Sequence, residues 1–180
     1  MSFLRPDGGS EVHAVTRIRQ TIIESSLNGD YSHAVECLQH SEPDVRATAF
    51  TILGAEGKLD LELLEAALLD TSSEVRLAFA HLISTNHEIP AVRFLLDEDP
   101  SIVEIACWAI GERGEAAGEI LEVLKEITES HSDSLCRESA VAALGALGNR
   151  EALGSILKAV DDIATVRRRA VLALSPSDGP

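Results

Sequence analysis

Acid–base, nucleophilic or metal chemistry needs histidine, cysteine or carboxylate groups brought to one place. The chain holds six histidines, three cysteines and 30 acidic residues among its 180. His13, His33, His40, His81, His87 and His131 are scattered, and none stands in an H-E-x-x-H spacing that would put two imidazoles on one helical face. Cys37, Cys107 and Cys136 lie far apart without a CxxC or a Cys/His cluster. They read as free thiols, buried or half buried, rather than as a disulfide framework or a zinc site. No G-x-x-x-x-G-K, G-x-G-x-x-G or G-x-S-x-G string is present to cradle a phosphate or expose a nucleophilic serine. The expectation is a protein without a catalytic residue, a bound metal or a cofactor.

Charge narrows the partners. The formal net charge is −15, from 30 acidic and 15 basic residues, which repels phosphate backbones and favours basic segments of other proteins. The one basic cluster, Arg167-Arg168-Arg169, is too short to neutralise a DNA groove. No run of 18 apolar residues and no signal-type apolar segment occurs, so no membrane partner and a cytoplasmic location are expected. Hydrophobic residues make up 45% and aromatic ones only 3%, a balance that lets helix axes approach closely.

The elements that would position any site come from a repeat. Val45, Val75, Ile102, Cys136 and Val166 are separated by 30, 27, 34 and 30 positions. Four residues after each stands Ala49, Phe79, Ala106, Ala140 or Ala170, and eight after each stands Leu53, Ile83, Ile110, Leu144 or Leu174. An i, i+4, i+8 apolar series is one face of a helix, and its return about every thirty residues marks a solenoid. Second amphipathic segments fall between these helices, over 58–70, 89–97, 114–130 and 150–161, and two more helices are expected over 11–27 and 31–39. Connections of a few residues make successive helices antiparallel neighbours. Ser41 and Thr71, three before Asp44 and Glu74, approach a capping box. Pro43 and Pro100 suit a first turn, and Gly54, Gly111 and Gly145 are expected to end helices in the left-handed conformation.

The strings of the D/E-V-R-x-x-A-x-x-x-L-G type, best kept as Asp44-Val45-Arg46-Ala47-Thr48-Ala49 with Leu53-Gly54, resemble the HEAT-like repeat family, including its phycobilisome-lyase type. The resemblance covers roughly residues 41 to 175. It implies an all-α solenoid of antiparallel helix pairs, of the HEAT-like or armadillo superhelical kind. The reading is a single repeat domain over 10–180, its last repeat incomplete, after a flexible lead over 1–9. It also implies that Arg46, Arg76, Arg137 and Arg167 join a ladder of acidic–basic contacts between repeats, interrupted where Val103 replaces arginine. The resemblance points to protein–protein interaction or scaffolding, with a bilin or cofactor lyase-type subunit as the alternative. Related hydroxylases would need several His-Glu ligand pairs where only His87-Glu88 occurs, in a loop between Asn86 and Pro90. Related DNA glycosylases would need a basic, aromatic face that this chain lacks.

Three surfaces are candidates for binding. On the helix after Pro100, Val103, Ile105 and Trp108 fall outside the core series. They are either further enclosed or an exposed patch with a tryptophan anchor. The acidic side of the second helices carries Glu62, Glu65 and Asp70, then Glu115, Glu119, Glu122, Glu126 and Glu129, either a solvated face or a trough for a basic segment. At the C-terminal end Val166, Ala170, Val171 and Leu174 lack a covering helix, an arrangement that favours self-association with another copy.

Overall fold

The computed structural model describes residues 8–116 and 118–175. Among them run eleven α-helices and no β-strand: α1 (Gly8–Leu27), α2 (Ser32–Glu36), α3 (Pro43–Ala55), α4 (Leu61–Leu68), α5 (Ser73–Ala80), α6 (Ala91–Leu95), α7 (Pro100–Arg113), α8 (Glu119–Ser130), α9 (Ser134–Leu147), α10 (Leu153–Lys158) and α11 (Ala164–Leu174). Short 3-10 segments at His81–Ser84, Arg150–Ala152 and Ala159–Asp161 extend α5 and bracket α10. The fold is an all-α helical repeat solenoid. The lead expected over residues 1–9 lies outside the described residues, apart from Gly8 and Gly9, which belong to the first turn of α1.

The repeated apolar series accounts for the core. Val45, Ala49 and Leu53, Val75, Phe79 and Ile83, Ile102, Ala106 and Ile110, Cys136, Ala140 and Leu144, and Val166 with Ala170 are all buried. Two compact units divide between Phe79 and Ala80. In the first, α3 packs on α1 and α2, and the Phe50 and Phe79 rings meet edge to face at 6.3 Å. In the second, α9 is the centre. It packs against α7 on one side, α11 on another and α8 on a third, while α10 bridges α8 and α11.

Helix starts differ from the capping-box expectation. Ser41 and Thr71 each stand two residues ahead of their helices, and Glu42 at the start of α3 makes no side-chain cap. Aspartates do that work elsewhere: Asp60 accepts from the Leu63 amide at 2.9 Å, Asp99 from Ser101 at 2.9 Å and Asp133 from Leu135 at 2.7 Å. Pro43 and Pro100 do open α3 and α7.

The expected glycine stops are also corrected. Gly54, Gly111 and Gly145 lie inside α3, α7 and α9, and the left-handed residues are Gly57, Gly114 and Gly148, each three positions further on. Gly111 and Gly145 serve close approach instead. A Cβ on Gly111 would stand 3.2 Å from the Ala143 Cα, and one on Gly145 would stand 2.6 Å from the Ala173 Cβ. Hydrogen at these two positions therefore sets how near α7 comes to α9 and α9 to α11.

Guanidinium groups tie the repeat junctions at Arg46 and Arg137. Arg46 forks onto Asp70 through Nε and Nη2, both at 2.8 Å, while its Nη1 donates to the carbonyls of His40 and Ser41. Arg137 repeats the arrangement on Asp162 at 2.7 and 2.9 Å and on the carbonyls of His131 and Ser132. Arg76 Nη1 donates to the Asp70 carbonyl at 2.8 Å. The arginine partner holds the Asp70 and Asp162 carboxyls below their ordinary range. The folded state thus binds these protons less readily than the unfolded chain. The stability involved is present above the ordinary aspartate range and is lost as pH falls through the lowered values.

The interrupted rung is missing on both sides. His131 holds the loop position of Asp70. Its Nδ1 accepts the amide two residues on, from Asp133, as the Asp70 carboxylate accepts that of Ser72, and its carbonyl receives the next arginine. Where Val103 replaces arginine, histidine has replaced aspartate, so neither charge is left without its partner.

These packings give expectations for the two glycines and for the rung, all measurable by urea unfolding. Gly145→Ala should destabilise by about 1–3 kcal/mol through overpacking. Gly154→Ala, on α10 with nothing within 4 Å of the new Cβ, should stabilise by about 0.4–1 kcal/mol. A Gly145→Ala variant as stable as the parent would refute the close approach. Arg137→Val should cost on the order of 2–4 kcal/mol by stranding the half-buried Asp162. Adding Asp162→His, the pairing found at 103 and 131, should recover at least about 1 kcal/mol of that loss. Strict additivity of the two substitutions would count against paired replacement.

Candidate functional site

Helix α7 is enclosed over most of its circumference. Asp99 caps its start, Gly114 ends it in the left-handed conformation, and it packs on α6, on the 3-10 segment His81–Ser84 and on α9. Ile102, Val103, Ala106, Cys107, Ala109 and Ile110 are buried as a result. The remaining stripe reaches the surface through Glu104, Ile105 and Trp108. Glu104 and Ile105 are half buried, and Trp108 is 47% exposed. Trp108 is steadied by His81, whose ring meets the indole at 5.8 Å and 65°. With Ser139 of α9, these four side chains line an open depression.

The two readings of this helix divide by residue. Enclosure holds for Val103, which is 1% exposed and is therefore removed from the candidate surface. Ile105 and Trp108 do reach the surface, three apart on one side of the helix. Sequence reasoning missed His81, Glu104 and Ser139. The only signal for His81 was its place six residues after Val75 on the aligned helix, the place Trp108 holds after Ile102. Nothing in the residue types marked Glu104 or Ser139.

The acidic candidates separate into different roles. Asp70 is half buried and spent on Arg46. Glu129 takes Lys158 and the Ser155 hydroxyl, both at 2.7 Å, and these partners hold its carboxyl below the usual range. Glu122 pairs with Lys125 at 2.9 Å, and Glu115 lies 3.8 Å from His87. Glu62, Glu65, Glu119 and Glu126 are exposed. Glu62 and Glu65 belong to the first unit, and Glu119 and Glu126 to the second.

At the far end of the second unit Val166 and Ala170 are fully buried, because α11 turns that face to its own unit. They therefore leave the candidate list. Leu174 is half buried and Val171 is 51% exposed, joined by Leu172 at 60%, which the apolar series had not singled out.

The cysteines are free, and burial pushes the Cys136 thiol up to about 11 and raises Cys107 as well. Both stay protonated near neutral pH and make poor nucleophiles or metal ligands. Among the described residues, no group of three or more His, Cys, Asp or Glu side chains is placed to hold a metal ion, and no helix is long and apolar enough to cross a membrane.

No match was found among curated proteins. Residues 89–175 match the family model for HEAT repeats, a stretch that includes α7, Ser139 of α9, and α11. Over this stretch, just under half of the chain, the protein is similar to HEAT repeats, in keeping with its repeated helix pairs.

Proposed function

We propose that the protein is a non-catalytic interaction or scaffolding module that holds a partner protein through the α7 surface around Trp108 and Ile105. HEAT repeats generally mediate protein–protein interaction. The observation that carries the reading is Trp108, a large ring 47% exposed on a helix whose other apolar residues are buried or half buried. Leaving such a ring in water forgoes its hydrophobic stabilisation, whereas in an interface tryptophan is among the residues that dominate binding energy. Ile105 beside it widens the apolar contact, and Glu104, His81 and Ser139 supply a polar rim of the kind interfaces use.

The half-exposed position sets the expected outcome of substitution. Trp108→Ala should lower stability by only about 1–2 kcal/mol, against about 3–5 for a core tryptophan. A Trp108→Ala, Ile105→Ser double variant should remain folded by thermal melting yet lose a partner that the parent retains in a pull-down from source-cell lysate. Retention of the same partner by both proteins would move the site away from α7, with the exposed Val171 and Leu172 the next place to test.

A further inference from the structure

Seven half-buried carboxylates lie among the described residues, and six of them are engaged. Asp70, Asp162 and Glu138 pair with Arg46, Arg137 and Arg169. Asp97, Asp99 and Asp133 accept backbone amides at loop and helix starts. The seventh is Glu104, which takes part in none of the hydrogen bonds or ion pairs of the described residues. Partial burial weakens its hydration, and no cation compensates. It also stands four residues before Trp108 on α7, a spacing that stacks the two side chains one above the other, with Cβ atoms roughly 5–6 Å apart.

We propose that this surface receives an arginine of the partner protein, its guanidinium laid against the Trp108 indole and forked onto the Glu104 carboxylate. The inference rests on the interaction-surface reading above and names the chemistry of its ligand. A guanidinium is planar, weakly hydrated and able to stack and to donate two parallel hydrogen bonds at once, which an ammonium cannot do. Its aliphatic stem lies along Ile105, as such stems do on apolar surface. Charge points the same way: a chain with formal net charge −15 attracts basic segments. The internal rungs show the same chemistry in this protein, a guanidinium forked on a half-buried carboxylate.

The chain has a single tryptophan, so its fluorescence reports on this one position. The test titrates the full chain with the capped pentapeptide glycine-leucine-arginine-leucine-glycine and with counterparts carrying lysine or citrulline, the latter a neutral isostere, at the central position. The arginine peptide should quench or shift the emission saturably, with the citrulline peptide at least about tenfold weaker and the lysine peptide between them. Glu104→Gln should weaken the arginine peptide by a similar factor, while Glu24→Gln, an exposed change on α1, leaves it unaltered. Melting curves matching the parent establish that both variants are folded. Equal binding of arginine and citrulline peptides, indifference to Glu104→Gln, or no response up to millimolar peptide would each overturn the arginine assignment. The broader reading fails separately, only if the Trp108→Ala, Ile105→Ser variant keeps the parent's partner.

Discussion

A guanidinium forked onto the aspartate of the following loop ties one helix pair to the next at two junctions of this chain. Arg46 and Arg137 each satisfy a carboxylate and two loop carbonyls at once. The carbonyls concerned lie just ahead of a helix start, where the chain turns and no backbone donor reaches them. A lysine could supply the charge but not the planar fork, so the residue type is specified by geometry as much as by sign. Hydrophobic burial stabilises the helices, and the fork satisfies the carboxylate and carbonyls that the junction half buries.

That dependence makes the one departure informative. At α7 the arginine has become Val103 and the loop aspartate has become His131, and both positions remain locally satisfied: Val103 by burial, His131 by accepting the Asp133 amide. Removing one member of a half-buried pair strands a charge, whereas replacing both is close to neutral. Freed from the rung, α7 buries an additional apolar residue. Its remaining surface carries Ile105, Trp108 and a carboxylate that no internal cation has claimed.

Close helix approach is the second constraint on this surface. Glycine at 111 and 145 brings α9 near to both α7 and α11, which places Ser139 of α9 in the same depression as Trp108. The depression around Trp108 is therefore lined from α7 and α9 of consecutive repeats, with His81 from the 3-10 segment beside them, at a helix separation that a single methyl group would alter.

The sequence alone determined the helices and most of their buried faces, because the i, i+4, i+8 apolar series sits in long segments with helix-start and turn signals at each end and returns about every thirty residues. Val45, Ala49 and Leu53 and their counterparts were legible for that reason, as were the arginines that recur beside them. Tertiary structure decided what these residues do with one another. Gly111 and Gly145 read as helix stops, since a glycine needed for close approach looks the same in one dimension as a glycine needed for a left-handed turn. Only the neighbouring Ala143 and Ala173 distinguish the two. Val103 and Trp108 were equally apolar candidates, but which of them faces a neighbouring helix depends on how the elements pack around α7. Glu104 gave no sign at all, because its distinction is the absence of a partner across space, a property that no single stretch of sequence contains.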